Sequence, residues 1–238
     1  MKPVVICRYA PQEGPGYFAT YLSRRRIPWS IVKVDEGEPL PLAREVAGLA
    51  MMGGAMSVND ELPWIAPVLA LVRDSVAADV PVIGHCLGGQ LLSKAMGGTV
   101  TRNPVKEIGW GEVTAVATPA AAEWGPAGRF LSYHWHGDTF SLPDNAIRIW
   151  SSPHCENQAF VLGRHFGMQC HIEITGDMID SWCEGGADEI EEARTRSPAV
   201  QTPDEMREDL EARLAALRVV ADRVYDRWTQ GLGRSVRK

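Results

Sequence analysis

The residue types best suited to covalent chemistry begin with a cysteine set between glycines. The segment Gly84-His85-Cys86-Leu87-Gly88 follows a run of β-branched residues and precedes a helix-like run. A sharp turn from strand to helix exposes a nucleophile on a strained backbone, and small neighbours leave room for the turn. The helix N-terminus also favours the thiolate. The spacing predicts a nucleophile elbow at Cys86, and the alternative is a small buried core cysteine.

A thiol nucleophile needs a base, and the base needs a group that orients it. Much later in the chain, His171-Ile172-Glu173 ends a predicted strand. Residues two apart in an extended chain project to the same face, so Glu173 can support His171. The carboxyl ends of neighbouring strands share one rim of an open α/β sheet, where His171 can reach Cys86. A second candidate partner is His85, whose side chain we expect to point away from the elbow.

These residues need a sheet that places them along one edge, and the first half of the chain has the corresponding pattern. Short apolar runs at residues 4–7, 30–34, 48–52 and 80–84 alternate with amphipathic segments at residues 16–25, 63–78 and 87–96. This alternation is typical of parallel strands joined by crossover helices, and near-continuous apolar strands are buried on both faces. Short strands predicted at residues 111–116, 130–135, 146–151, 158–162 and 167–171 form a meander that rejoins the sheet. We predict an α/β fold with a doubly wound mixed sheet and helices on both faces.

Residues 186–238 are predicted to be a C-terminal helical extension, packed on the domain that residues 1–185 form. After a charged stretch, Thr202, Pro203 and Glu205 have the spacing of a capping box at the start of one long helix. The apolar residues of that helix form a narrow seam at Leu210, Leu214, Leu217, Ala221, Val224 and Trp228. The seam predicts packing against its own domain, and the alternative is a partner surface such as a homodimer interface.

The composition argues against several classes of function. The 238 residues include 24 basic and 30 acidic side chains, for a formal net charge of -6, so no basic excess is available for nucleic acid or an anionic membrane. The apolar runs fall short of the about 20 residues that a transmembrane helix needs, and the first residues lack the apolar core of a signal peptide. We expect a cytoplasmic protein whose five cysteines are free thiols.

Residues 84–90, 133–143 and 167–173 together resemble the class I (triad) glutamine amidotransferase domain. The resemblance covers roughly residues 1–185 and is strongest to stand-alone proteins similar to the amidotransferase part of GMP synthase. It implies a flavodoxin-like fold in which Cys86 is the nucleophile, His171 is the base and Glu173 orients the base. The family usually has proline between the last two residues, where this chain has Ile172.

The resemblance also implies how the site binds its substrate. An oxyanion hole is expected from the backbone N–H groups of Gly54 and Leu87, because donors that are fixed in advance stabilise a developing charge. Substrate-binding residues are expected at Gly88, Gln90, His136, Gly137 and Asp138. The family reaction requires no metal or other cofactor.

The two histidines around Trp135 leave another interpretation open. His134 and His136 alternate along a predicted strand, so they share a face and could form a metal pair. Asp138 is the carboxylate at a fitting local spacing for a third ligand.

The predicted reaction is hydrolysis of the glutamine γ-amide through a γ-glutamyl thioester on Cys86, with release of ammonia. The sequence has no Gly-x4-Gly-Lys-Ser/Thr phosphate loop, so a synthase that consumes the ammonia would be a partner in trans. The alternative is a γ-glutamyl peptidase or hydrolase that acts on γ-glutamyl peptides such as glutathione conjugates and shares the thioester step. Two further alternatives are a cysteine protease that uses His85 and a non-enzymatic partner-binding protein.

Overall fold

A single mixed sheet of nine strands organises the part of the chain that the computed structural model describes, residues 2–233. The strands are β1 (Val4–Arg8), β2 (Trp29–Lys33), β3 (Gly48–Met51), β4 (Val82–His85), β5 (Val100–Ala115), β6 (Arg129–Phe140), β7 (Ile147–Ser151), β8 (Ala159–Leu162) and β9 (His165–Met168). They lie in the order β2-β1-β3-β4-β9-β8-β7-β5-β6.

The two halves of the sheet differ in strand direction. The pairs β1/β2, β1/β3, β3/β4 and β4/β9 are parallel, whereas β9/β8, β8/β7, β7/β5 and β5/β6 are antiparallel. Strand β4 therefore lies between β3 and β9, and its carboxyl end faces the same rim as theirs. This arrangement confirms the predicted doubly wound mixed sheet and the meander that rejoins it.

Helices cover both faces of the sheet, as predicted. They are α1 (Gly16–Arg24), α2 (Ile65–Ala77), α3 (Leu87–Ala95), α4 (Pro119–Trp124), α5 (Gly176–Gly185), α6 (Ala187–Arg194), α7 (Pro203–Arg207) and α8 (Leu210–Thr229). Neighbouring residues of β1 point to opposite faces, so Ile6 packs in the core beneath α1, α5 and α8 while Cys7 packs beneath α2 and α3.

The antiparallel hairpin is longer than the sequence pattern predicts. We expected strands at residues 111–116 and 130–135, but β5 spans Val100–Ala115 and β6 spans Arg129–Phe140. The pairing of the two strands shifts between Arg102 and Glu107, and this irregularity breaks the strict alternation that marks a strand in sequence. The strand expected at residues 167–171 ends earlier, since β9 spans His165–Met168.

The C-terminal region corrects the expectation of one long helix. The Thr202 hydroxyl accepts from the Glu205 amide at 3.2 Å and the Glu205 carboxylate accepts from the Thr202 amide at 2.6 Å, so the capping box is confirmed. It begins only the short helix α7, because Asp209 has φ 50° and interrupts the helix before α8. The charged stretch at residues 187–194 is itself the helix α6, and α4 was not predicted.

The apolar seam of α8 packs within its own chain. Five of its members are buried: Leu214, Leu217, Ala221, Val224 and Trp228. Leu210 is partly buried against the same core. The homodimer stays a prediction.

Within residues 2–233, no helix combines the length and the apolar character needed to span a bilayer.

Candidate active site

The nucleophile position lies at a sharp elbow between β4 and α3. Cys86 has φ 49° and ψ -108°, a conformation that side chains rarely adopt, and Leu87 begins the helix directly. A side chain at Gly84 would place its Cβ 2.3 Å from the Gly88 carbonyl, and one at Gly88 would lie 2.2 Å from the Met51 oxygen. Only glycine permits these close approaches, because any side chain at either position would clash with the backbone nearby. The same clash explains why glycines occur two residues before and two residues after Cys86.

The predicted base and its orienting group form a buried pair. The imidazole Nδ1 of His171 and Oε1 of Glu173 are 2.7 Å apart, and both side chains are almost fully buried. The pair lies in a bend after β9 rather than in the strand, so the expected strand alternation is not what brings the two residues together. The His171 amide donates to the Tyr133 carbonyl at 2.8 Å, which fixes this bend against β6.

Electrostatics favour the charged forms of both partners. Burial lowers the pKa of His171, but the neighbouring Glu173 and Cys86 outweigh it and raise that pKa well above its ordinary value. Burial raises the pKa of Glu173, but the charge of His171 and its hydrogen bond outweigh burial, so the carboxyl has a lowered pKa. A cationic His171 is the partner that a Cys86 thiolate needs.

Aromatic packing holds the imidazole of His171 in place. The ring of Trp182, on α5, meets it edge-on with centroids 4.8 Å apart. The indole N–H of Trp182 donates to the Gln12 carbonyl at 2.9 Å, so the wall of the site is tied to the loop before α1. The base is therefore oriented by a carboxylate on one side and by a fixed ring on another.

The expected oxyanion donors lie next to one another. A Cβ at Gly54 would be 2.7 Å from the Leu87 side chain, so the turn after β3 closes on the first residue of α3. In the described part of the chain, neither amide donates to a backbone carbonyl. Gly54 lines the cleft that contains Cys86 and His171. This placement suits two backbone donors that converge on a carbonyl oxygen attacked by Cys86.

Two of the expected substrate-binding residues have other contacts. The Gly88 amide donates to the Met52 carbonyl at 3.1 Å and the residue packs against β3, and its contact with substrate stays a prediction. Gln90 lines the cleft, but its amide donates to Gln169 at 3.1 Å. Gln169, which the sequence analysis missed, donates in turn to the Cys86 sulfur at 3.4 Å.

The His136-Gly137-Asp138 segment lies along the opposite wall of the cleft. The ring of His136 points into the protein, where Nδ1 is 3.0 Å from the Asp138 carbonyl and Nε2 is 3.0 Å from Glu107. The Asp138 carboxylate accepts from the Ser57 hydroxyl at 3.0 Å, which ties the loop that carries Gly54 to β6. His136 and Asp138 therefore shape the cleft through the contacts that they make with other residues.

The suggested metal pair has a different third member than expected. Glu107, His134 and His136 place ligand atoms within 4.8 Å of one another, and all three are buried, whereas Asp138 contacts Ser57. Burial lowers the pKa of His134 to about 4, which keeps it neutral. Glu107 already accepts from Ser152 at 2.9 Å and from Gln158 at 2.8 Å, besides its contact with His136. These partners favour a self-contained hydrogen-bond network over a metal site.

A carboxylate that belongs to none of the sequence motifs also faces the cleft. Glu13 lies beside His171, and a Cβ on Gly53 would be 2.5 Å from its Oε2 and 3.1 Å from His171 Cε1. Burial raises the pKa of Glu13 to about 7, an effect that His171 partly offsets. Its signal in sequence is weak, because a single Glu in a Gly/Pro-rich loop resembles a solvated turn.

The cleft has a volume of about 460 Å³ and opens at the carboxyl rim of the strands. Helix α6 contributes to its outer wall, since Glu189 accepts from the Trp135 indole at 2.9 Å and pairs with Lys106. Arg102 and Lys106 line the same side. The charged stretch of the predicted helical extension thus contributes to the site.

Comparisons with known proteins agree on one family. The model of the class-I glutamine amidotransferases matches residues 17–181. A crystal structure of a glutamine amido transferase from Methylobacillus flagellatus is 47% identical, covers 98% of this chain and 96% of that chain, and has a TM-score of 0.96. A glutamine amidotransferase structure from Thermotoga maritima is 29% identical, covers 96% and 98% of the two chains, and has a TM-score of 0.86.

Curated sequences lead to the same group. The glutamine amidotransferase-like protein YfeJ of Salmonella typhimurium is 32% identical over 178 residues, 71% of this chain and 73% of that protein. The glutamine-hydrolysing GMP synthase of Aeropyrum pernix is 34% identical over 157 residues, which are 61% of this chain and only 28% of the synthase.

Proposed function

Because this chain belongs to the class-I glutamine amidotransferase family, we propose that it hydrolyses the γ-amide of glutamine with Cys86, His171 and Glu173 as its triad. The observation that carries the proposal is the 2.7 Å contact between His171 and Glu173 beside the strained elbow at Cys86. A nucleophile, a base and an orienting carboxylate in this relation are the parts that acyl transfer requires.

The first half of the reaction forms a thioester. The Cys86 thiolate attacks the γ-carbonyl carbon, a C–S bond forms, and the carbonyl electrons move to oxygen, where the Gly54 and Leu87 amides stabilise the negative charge. The imidazolium of His171 gives its Nε2 proton to the amide nitrogen as the C–N bond breaks. Ammonia leaves, and a γ-glutamyl thioester stays on Cys86.

The second half returns the enzyme to its starting state. Neutral His171 takes a proton from water, and the resulting hydroxide attacks the thioester carbon. The C–S bond breaks, glutamate leaves, and Cys86 is again a thiolate beside a protonated His171. Glu173 accepts from Nδ1 in both halves, which keeps Nε2 as the nitrogen that exchanges protons.

The test is release of glutamate and ammonia from glutamine, measured for the wild type and for Cys86→Ala. We expect the variant to lose at least about 10⁴-fold of the activity, since no other group can form the thioester. Cys155→Ala is the matched control, because Cys155 is also a buried free thiol but lies outside the cleft, and it should retain activity. Equal activity of Cys86→Ala and wild type would refute the triad.

A second candidate is hydrolysis of γ-glutamyl peptides, and the width of the cleft favours it. A volume of about 460 Å³ accommodates more than the side chain of glutamine and leaves room for a peptide leaving group. Glutathione as substrate distinguishes the two reactions. Glutamate released from glutathione faster than from glutamine would assign the peptidase reaction, whereas release from glutamine alone would point to a synthase partner that takes up the ammonia.

A further inference from the structure

One tyrosine of the C-terminal helix reaches the rear of the proposed triad. Tyr225, on α8, is fully buried, and its hydroxyl lies 3.1 Å from Nε2 of His85. Its position is outside residues 17–181, which the family model matches. A residue of the C-terminal extension is therefore in contact with the residue that immediately precedes Cys86.

His85 connects this tyrosine to the orienting carboxylate. As the last residue of β4, it points to the face opposite Cys86, as the sequence predicts, and is fully buried. Its Nε2 is 3.9 Å from Oε2 of Glu173, which is too far for a hydrogen bond. The other oxygen of Glu173 is the one bonded to His171.

The nitrogen Nε2 of His85 has two competing neighbours. A movement of roughly 1 Å would bring it within hydrogen-bond distance of Glu173, where a protonated ring would form an ion pair. The other neighbour is the Tyr225 hydroxyl, which as the donor in this contact would hold the nitrogen in place and occupy its lone pair. Burial keeps the hydroxyl proton on Tyr225, whose pKa is raised well above its ordinary value.

We propose that Tyr225 is a positioning residue of the active site: its hydroxyl donates to His85 Nε2, keeps His85 neutral and apart from Glu173, and so reserves that carboxylate for His171. The proposal rests on the proposed function, in which Glu173 supports the base. Formation of the Cys86 thiolate would then depend on the packing of α8 against the domain.

The docking itself depends on polar contacts between α8 and α1. The Tyr17 hydroxyl donates to Asp222 at 2.8 Å, and the Tyr21 hydroxyl donates to Asp226 at 2.6 Å. Tyr21 is as fully buried as Tyr225, but its hydroxyl contacts only α8. Tyr21→Phe is therefore the matched control, because it removes a buried hydroxyl from the same helix pair without touching His85.

The pH dependence of this network involves a defined set of groups. His171 faces Glu173, Cys86 and Glu13, and His85 faces Glu173 and His171. The ionisable neighbours of Tyr225 are Glu173, Tyr17, Cys170 and Asp222. Burial lowers the pKa of His85, which agrees with a neutral ring next to the carboxylate.

The first experiment compares Tyr225→Phe with Tyr21→Phe. Without the hydroxyl, His85 can take a proton and pair with Glu173, which lowers the pKa of His171 and raises the pH at which the Cys86 thiolate forms. We expect kcat for glutamine to fall about threefold to tenfold with KM within twofold, the size of one hydrogen bond. The acid limb of Cys86 alkylation by iodoacetamide should move up by about 0.5 to 1 pH unit.

The alkylation assay needs no glutamine, so it separates this proposal from the proposed function. Burial raises the pKa of Cys7, Cys155, Cys170 and Cys183, so these thiols react slowly and the signal reports Cys86. An unshifted profile in Tyr225→Phe, or an equal shift in Tyr21→Phe, would overturn the proposal. Absence of glutaminase activity together with a shifted profile would instead refute only the proposed substrate.

Two further measurements test the route through His85. In a His85→Asn background, adding Tyr225→Phe should change the alkylation profile by less than about 0.2 pH unit, because the two residues act as one unit. Nitrogen NMR of the wild-type protein should show His85 neutral from pH 6 to 8, with its proton on Nδ1. A full additional shift in the double variant, or a proton on Nε2, would contradict the proposal.

Discussion

Two hydrogen-bonded pairs of buried histidine and glutamate lie within residues 2–233, and they differ in what the second ring nitrogen contacts. His171 bonds Glu173 through Nδ1, and its Nε2 has no hydrogen-bond partner among the described residues. His136 bonds Glu107 through Nε2, and its Nδ1 bonds the Asp138 carbonyl. The first pair leaves a nitrogen for the chemistry of Cys86, whereas the second has both nitrogens committed to the fold.

The carboxylates differ in the same way. Glu107 accepts from Ser152 and Gln158 as well as from His136, so its charge is shared among several donors. Glu173 has one close partner, His171, and its second oxygen has none among the described residues. The same two residue types can therefore form a catalytic base with its orienting carboxylate, or a purely structural pair. Which of the two they form depends on how many of their polar atoms are already hydrogen-bonded within the fold.

Within the two pairs, the largest effect on activity is expected for Glu173→Gln, which tests whether the first pair serves catalysis. The amide can hold the wrong tautomer of His171 and cannot stabilise its cation, so glutaminase activity should fall by about 10² to 10⁴-fold. The alkylation rate of Cys86 near neutral pH should fall with it. Urea unfolding should also show lower stability, because one partner of a buried pair loses its charge, so activity is measured per folded molecule. Unchanged activity would show that Glu173 does not orient the base.

In the second pair, Glu107→Gln should reduce stability more than activity. Removing the charge opposite buried His136 should lower the free energy of unfolding by about 2 to 4 kcal/mol. Activity per folded molecule should stay within about tenfold of wild type, since no reacting atom contacts Glu107. Urea denaturation measures the first quantity and active-site titration the second.

Glu112→Gln on the same strand is the control for that experiment, because Glu112 forms an exposed ion pair with Arg129 at 3.4 Å. Its effect on stability should stay below about 0.5 kcal/mol. A loss of activity in Glu107→Gln as large as that in Glu173→Gln would mean that the two pairs do not have separate tasks.

The smallest effect is expected for Glu13, the other carboxylate beside His171. The pKa of Glu13 is raised to about 7 in the folded protein, so ionising this side chain costs folding free energy. The contribution of Glu13 to the free energy of unfolding is therefore greatest below its unfolded pKa and is lost as pH rises toward 7. Glu13→Gln should therefore be more stable than wild type at pH 8, by about 1 to 2 kcal/mol after allowance for its partial exposure, and equally stable at pH 4. Thermal unfolding at the two values measures this difference.

The same substitution should move the pH profile of activity. Above pH 7 the Glu13 carboxylate stabilises the His171 cation, so the basic limb of kcat/KM should shift to lower pH in Glu13→Gln. An unmoved limb would show that Glu13 does not influence His171.

Sequence reasoning located the parts of the site that depend on local spacing. Gly84 is required by its contact with Gly88, four residues later, so the elbow can be read directly from the chain. Residues His171 and Glu173 are also close in sequence, although a bend rather than a strand places them together. The sheet followed from alternating apolar runs, which depend on the same short range.

The supporting residues could not be found in this way. Glu107, Gln169 and Tyr225 reach the site through pairings between distant segments, and none has neighbours that distinguish it in sequence. Gly88 was predicted both to leave room for the turn and to bind substrate; its close approach to Met51 agrees with the first role, and the second stays a prediction. The break at Asp209 was missed since the apolar spacing of α8 begins only after it.

The position of β4 in the sheet has a consequence for biosynthesis. Strand β4 can pair with β3 once the first half of the chain has been made, but its other partner, β9, is made only after the whole antiparallel hairpin. Until then β4 is an open edge that a chaperone or another nascent chain can pair with. During that interval Cys86 lacks both its base and the helix α8 that closes over the rear of the site, so the growing chain does not hold a finished, reactive nucleophile.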